Sequence, residues 1–432
     1  MLHALFAKIR LRSRYIATVL QWILFALVLG GLCGLLGTAF DLLLELVSHQ
    51  FGSTPWLILL LPAAGLVIVF LYHRVGKITK DNGPDMIIHS VRDGREVSPV
   101  VAPLVFVGTV LTQLCGGSSG REGAAIQMGG SVGIFCGRLF RMQSKNVHML
   151  AMCGMAALFS AVFGTPVTSS IFAIEMISVG NIYYVAFFPC LLSSLVAFWV
   201  ASSFGVVPMA ARMAAAVIPE LSFATVGKVV LLGVAFAVVT VLFVSAVHRA
   251  EHWAKGIGNP YLRILLGAGI LLLLTGGVWL ATGEFTYNGA GTEGILSALI
   301  GNAEPWDFLL KILFTAVTLG FGFKGGKIVP GFFIGATLGC VLAVWMGLPP
   351  SFGVALGMVA LFSGMTNCPL AALVLGIELF GGDGLLYFAT VSAMLYLLAG
   401  YYSFYSGRET VYSKLQEEYI HQSVRREDSS HG

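Results

Sequence analysis

The chain has 432 residues, 57% hydrophobic and 11% charged, with 25 Lys and Arg against 21 Asp and Glu for a net charge of +4. An ordinary soluble domain carries about 25% charged residues, so a soluble fold of this size is excluded, and the mean hydropathy of +0.87 points to a membrane protein. A charge of +4 is too small to single out a nucleic-acid partner, and the 53 glycines fit closely packed membrane helices, where small residues let backbones approach.

In chain order, Lys8, Arg10, Arg12 and Arg14 precede the first long apolar stretch, and no small-residue cleavage site follows a short apolar core. The stretch is therefore not a signal peptide, and the positive-inside rule puts residues 1–16 in the cytoplasm. Apolar segments follow at 17–47, 56–73, 98–115, 124–138, 147–163, 166–178, 182–206, 225–247, 262–282, 306–323, 330–347, 352–364, 368–381 and 384–401. A straight spanning helix needs about 20 apolar residues. Several segments are shorter, and glycine or proline interrupts others; such segments enter the membrane, stop, and leave backbone lining a cavity. Between them, Lys80-Asp81-Asn82-Gly83-Pro84-Asp85 reads as a polar turn leading into a helix. The tail, residues 406–432, carries Arg408, Lys414, Arg425 and Arg426, is expected in the cytoplasm, and has room for a short helix but no regulatory domain. The expected fold is all-α and integral to the membrane, with many short, tilted and broken helices.

The chain repeats itself. Gly154-Met155-Ala156-Ala157-Leu158-Phe159-Ser160 is similar to Gly357-Met358-Val359-Ala360-Leu361-Phe362-Ser363, and at the same offset Pro166, Ile174 and Glu175 match Pro369, Ile377 and Glu378. Gly120, Gly129 and Gly133 match Gly326, Gly335 and Gly339, and Asn82-Gly83 matches Asn288-Gly289. This divides the chain into membrane repeats at 17–205 and 225–405 joined by a connector at 206–224. Repeats in transporters are often inverted, with the substrate site at their interface.

The stretch Gly116-Gly117-Ser118-Ser119-Gly120-Arg121-Glu122-Gly123-Ala124 lies between apolar segments. Its glycines permit tight turns, and a helix starting near 119–122 would turn free N–H groups and its positive end toward an anion. A carboxylate there can itself occupy an anion position, and once protonated it is neutral and can leave. Glu122 is thus the candidate gate and proton carrier; the plainer reading is a carboxylate that only stabilises a helix start, but intramembrane carboxylates default to function. The backbone of Gly120, Arg121 and Gly123 is the candidate anion cradle. In the second half, Gly325-Gly326-Lys327-Ile328-Val329-Pro330 offers the amides of Ile328 and Val329 to the same anion, with Pro330 in a first helical turn. Lys327 is either a loop charge or an anion attractor. Glu175 and Glu378, each after a proline and an apolar run, are expected to accept backbone hydrogen bonds at broken helices. The seven cysteines, Cys33, Cys115, Cys136, Cys153, Cys190, Cys340 and Cys368, have no CxxC spacing and read as small buried residues. His248 and His252 flank Glu251 but do not form HExxH, and read as a solvated helix face. An intramembrane serine enzyme on Ser118 or Ser119 would need a histidine base; His89 and His148 sit at membrane edges, so a transporter or channel is expected instead. No cofactor or metal is implied.

These residues resemble the CLC family of chloride channels and proton-coupled anion exchangers, over roughly residues 17–410. Gly120-Arg121-Glu122-Gly123 matches the family's GREGP motif apart from Ala124, which makes Glu122 the external gating glutamate. Gly326-Lys327-Ile328-Val329-Pro330 corresponds to GxFxP, with Ile328 in place of phenylalanine. The family's central tyrosine falls at Tyr405, with Tyr402 as competitor. The resemblance implies two inverted halves, a homodimer with one pore per subunit, and transport of chloride, or another small anion, in exchange for protons across the cell membrane. Two departures matter. The GSGIP motif falls at Lys80 to Pro84, where only Pro84 agrees; Asp81 stands at the serine that donates to the anion, so Asp81, Asn82 and Gly83 are anion-path candidates through a backbone amide, and fluoride exporters of the family depart here too. The inner proton glutamate of exchangers falls at Met176, one position after Glu175, and some coupled relatives also lack it. A proton antiporter of chloride is the expectation, with a passive chloride channel or a fluoride/proton antiporter as alternatives.

Overall fold

The computed structural model describes residues 2–78, 83–213, 216–405, 407–415 and 419–423, with side chains over 15–78, 83–213, 216–405 and 407–415. Its first half runs α1 (Leu2–Ser53), α2 (Leu61–Phe70), α3 (Asp85–Asp93), α4 (Val101–Leu114), α5 (Glu122–Leu139), α6 (Ser144–Phe163), α7 (Pro166–Glu175) and α8 (Phe187–Ser203). A short α9 (Met209–Met213) follows. Then come α10 (Phe223–Lys255), α11 (Pro260–Thr282), α12 (Thr292–Leu299), α13 (Asp307–Gly320), α14 (Ile328–Trp345), α15 (Pro350–Thr366), α16 (Pro369–Phe380) and α17 (Leu385–Leu398). The order is the same in both halves, α1 answering to α10 and so on to α8 and α17.

Among the described residues, 7 helices are long and apolar enough to cross a membrane, and four shorter apolar helices accompany them. The long outer helices expose leucines and valines such as Leu20, Leu24, Leu46, Val238, Leu273 and Leu280, as a lipid-facing belt requires. By contrast α6 and α15 are buried on all sides over most of their length and form the centre of each half.

Local chemistry sets the breaks. Helix α6 ends on Gly164 at φ 77°, and Pro166 opens α7. Helix α15 ends on Asn367 at φ 51°, and Pro369 opens α16. A left-handed residue stops each helix, and proline, whose missing N–H has no partner in a first turn anyway, starts the next. The helices then pack through glycine. A Cβ on Gly129 would lie 2.1 Å from the Gly154 carbonyl oxygen, and one on Gly335 would lie 2.2 Å from that of Gly357. These backbone contacts cannot yield as a side chain can, so Gly129→Ala and Gly335→Ala are each expected to destabilise by about 1–3 kcal/mol, read as a lower Tm in detergent; an unchanged Tm would contradict the close crossing.

Among the described residues one small sheet accompanies the helices. β1 (Ser178–Val179) pairs in parallel with β2 (Glu409–Tyr412), which pairs antiparallel with β3 (Tyr419–Ser423). The tail forms strands, not the short helix it had room for. Thr410-Val411-Tyr412 is β-branched and aromatic, and the chain leaving α7 offers it an edge. The small sheet therefore ties the tail to the first half.

Candidate functional site

Two helix N-termini meet at the interface of the halves. Gly120 and Gly326 form an antiparallel bridge, the Gly120 N–H donating to the Gly326 carbonyl at 2.8 Å and the Gly326 N–H to the Gly120 carbonyl at 2.6 Å. Helix α5 opens two residues beyond the first and α14 two residues beyond the second. Their free amides and positive ends thus converge on one place. The Gly120 N–H, expected among the anion donors, is instead committed to this bridge. A Cβ on Gly326 would stand 2.7 Å from the Gly123 nitrogen and 3.0 Å from that of Glu122. Gly326→Ala is therefore expected to force the two helix starts apart and abolish anion flux in liposomes even where folded protein is recovered; wild-type flux would contradict this geometry.

Glu122 is the first residue of α5 and is fully buried. Its Oε2 accepts from the Arg121 N–H at 3.1 Å and, more weakly, from the Val329 N–H at 3.4 Å. One donor comes from each half. Its Oε1 has no hydrogen-bond partner among the described residues and lies 3.9 Å from Arg121 Nε. The carboxylate therefore occupies the position toward which both helix starts direct positive potential. Ile328 and Val329 are buried beside it.

The flanking charges are paired in the same pattern twice. Arg121 donates from Nη1 to Asp41 of α1. Lys327 donates to Glu251 of α10 at 3.1 Å, and its Nζ lies 4.9 Å over the Phe404 ring. Each half thus ties the residue before α5 or α14 to a carboxylate on its own long first helix. Lys327 is a paired charge in this arrangement. Ser118 and Ser119 are spent on structure as well: Ser118 Oγ meets Thr315 Oγ1 at 3.0 Å, and Ser119 Oγ donates to the Lys324 carbonyl at 3.4 Å.

Glu175 and Glu378 cap each other's helices. Glu378 accepts the N–H groups of Val167 and Thr168 at 2.9 and 2.8 Å, at the start of α7. Glu175 accepts those of Leu370 and Ala371 at 3.1 and 2.8 Å, at the start of α16. The C-terminus of each helix touches the N-terminus of the other, so α7 and α16 run antiparallel and the halves are inverted.

Tyr405 is 5% exposed, within electrostatic reach of both Glu122 and Asp85. Its ring centroid is 6.3 Å from that of Phe172, which leads through Phe362 and Phe332 to Phe163. Tyr402 is 41% exposed; its carbonyl accepts from Asn367 Nδ2 at 3.3 Å and its N–H donates to the Ala399 carbonyl at 3.3 Å. Asp81 and Asn82 lie outside the described residues. Gly83, at φ 62°, accepts the Met86 N–H and leads into α3. Met176, where the resemblance places the exchangers' inner glutamate, is fully buried.

Sequence reasoning passed over Asp41, Glu251 and Arg408. Asp41 carried a signal, an acid within a long apolar run that holds one other, Glu45. Arg408 carried none, because a basic residue in a polar tail reads as solvated.

A family profile described as voltage gated chloride channel matches residues 64–400. A chloride/fluoride channel protein of Pseudomonas syringae pv. tomato is 37% identical over 90% of this chain and 87% of its own length. An H(+)/Cl(-) exchange transporter, ClcA, of Vibrio cholerae is 30% identical over 82% of this chain and 81% of its own. Among solved structures, a CLC-type fluoride/proton antiporter aligns with TM-score 0.84 and 30% identity, covering 91% of this chain and 98% of that one. A slow cyanobacterial Cl-/H+ antiporter shares the fold at TM-score 0.75 and 19% identity.

Proposed function

We propose that this chain, which belongs to the voltage gated chloride channel family, exchanges a small halide anion for protons across a membrane, with Glu122 as the moving gate. One observation carries the reading. The Glu122 carboxylate, fully buried, is held by an amide from each half at the point where two helix N-termini converge.

The chemistry follows from that position. An anion that arrives competes with the carboxylate for the amides of Arg121 and Val329. A protonated Glu122 is neutral, has no reason to stay, and leaves the amides to the anion. When the anion departs, the side chain releases its proton and returns. One group thus alternates between filling the anion position and carrying a proton, and this alternation couples the two flows. A dehydrated anion needs several donors in place of water. The amides of Arg121, Gly123, Ile328 and Val329 and the hydroxyl of Tyr405 are suited to the task. Glu175 and Glu378 remain structural carboxylates, and Lys327 tunes the field. The two repeats, 17–205 and 225–405, act as the frame, with both termini cytoplasmic, two copies forming a homodimer, and the protein resident in the cell membrane.

For the anion, fluoride is the better reading than the chloride that the family motifs alone favour. The departure at Asp81, Asn82 and Gly83 supports it, as do the 37% identity to a chloride/fluoride channel protein and the TM-score of 0.84 to a fluoride/proton antiporter. Liposomes loaded equally with the two ions decide it. Fluoride efflux is expected to be the faster; faster chloride efflux would reverse the assignment of the ion.

A further inference from the structure

One guanidinium stands between two buried carboxylates. Arg121 donates from Nη1 to Asp41 Oδ1, while its Nε stays 3.9 Å from Glu122 Oε1, beyond hydrogen-bond reach. Asp41 and Glu122 are both buried, and Glu122 Oε1 finds no hydrogen-bond partner among the described residues. A buried carboxylate oxygen without a donor is costly, and the cation that could satisfy it is held by the other acid. Arginine keeps its charge at any working pH, so its position decides which carboxylate it stabilises.

The surrounding charges leave that balance to Asp41. Glu45, one turn further along α1, and Arg212 of α9 also act on Asp41. They pair with each other, Arg212 Nη2 donating to Glu45 Oε1 at 3.0 Å, and so oppose one another there. Around the gate, the loop before α14 brings Lys327, which is tied to Glu251, and the tail brings Tyr405, which Asp85 of α3 also reaches. Helix α4 contains no charged residue, and neither does α6 from Leu150 onward. In the second half the matching tie of Lys327 to Glu251 is followed by Ile328, so no carboxylate there waits to be released.

We propose that Asp41 is a positioning residue for the gate: by holding Arg121 it keeps the guanidinium off Glu122, so that the carboxylate can take up a proton and leave the Arg121 and Val329 amides. The proposal rests on the reading of Glu122 as the gate and adds what sets the acidity at which it opens. Without the charge of Asp41, the guanidinium turns to Oε1 and completes an ion pair that holds the gate shut. Without Arg121, the charged form of Glu122 loses its nearest cation and the gate opens more readily.

The test is anion efflux from proteoliposomes over a series of pH values, equal inside and out, for wild type, Asp41→Asn, Asp41→Glu and Arg121→Gln, each normalised to its own maximum. An opposite charge brought against a carboxylate favours the ionised form, so the half-maximal pH is expected to fall by about one unit in Asp41→Asn. It is expected to rise in Arg121→Gln and to stay near wild type in Asp41→Glu, which keeps the pair. Added to Glu122→Gln, which has no titrating gate, Asp41→Asn is expected to change nothing further. A folded Asp41→Asn with the wild-type profile would overturn the proposal, as would an equal loss of flux at every pH with and without Glu122, the mark of a merely structural tie. If Asp41→Asn does not fold, Arg121→Gln decides: an upward shift supports the proposal, and an unmoved or lowered profile overturns it. Wild-type efflux that ignores pH altogether would remove the gate reading, and the proposal with it.

Discussion

Glu122→Gln is expected to pass the anion while moving no protons at all. Glutamine has nearly the shape of glutamate and can still reach the Arg121 and Val329 amides, but it does not titrate. If the carboxylate is the coupling group, its replacement leaves proton flux at the level of empty liposomes while anion flux continues. Anion-selective electrodes and an external pH electrode read the two flows together. Proton flux that persists in Glu122→Gln would mean that another group carries the proton. Loss of both flows in folded protein would mean that a neutral side chain stays on the Arg121 and Val329 amides, which would contradict the departure expected of the protonated gate.

The second large effect falls on stability. Glu378 and Glu175 each accept two backbone N–H groups of a helix in the other half. Hydrogen bonds to a charged group contribute about 1.5–3 kcal/mol each, so Glu378→Ala or Glu175→Ala is expected to cost about 3 kcal/mol or more, with the helix start left uncapped inside the protein. Tm in detergent is the readout. Because the two carboxylates cap different helices, the double variant should lose more than either single one. A Tm equal to wild type in Glu378→Ala would show that the reciprocal caps do not hold the halves together.

Much of this arrangement was legible in the sequence because it is written in local chemistry. Pro166 and Pro369 sit in step, each just after a residue suited to a left-handed turn, and each is followed by an Ile-Glu in step. A proline that starts a helix and a glycine that lets two helices touch act within a few residues, so the pattern survives in one dimension. Glu122 stood out for the same reason, a carboxylate between glycines in an apolar chain.

What was not legible depends on partners far apart in sequence. Gly120 looked like an anion donor, yet its N–H is taken by Gly326 of the other half. Nothing near Arg121 announces Asp41, and nothing near Lys327 announces Glu251; each pair forms only when α1 passes the start of α5 and α10 the start of α14. Arg408 is the extreme case. Its neighbours in sequence are polar, and only the pairing of β2 with β1 reveals that the side chain is enclosed. The strand itself was missed because Thr410-Val411-Tyr412 is too short a run to outweigh the charges around it.

The central claim is coupling, and the most direct measurement uses the wild-type protein alone. Liposomes containing it are loaded with fluoride or chloride at equal internal and external pH, an outward anion gradient is imposed, and external pH is followed as the anion leaves. The account predicts proton uptake into the vesicles, against the proton gradient that builds and driven only by the anion. Anion efflux with no proton uptake once the membrane potential is clamped would contradict it and make the protein a passive channel.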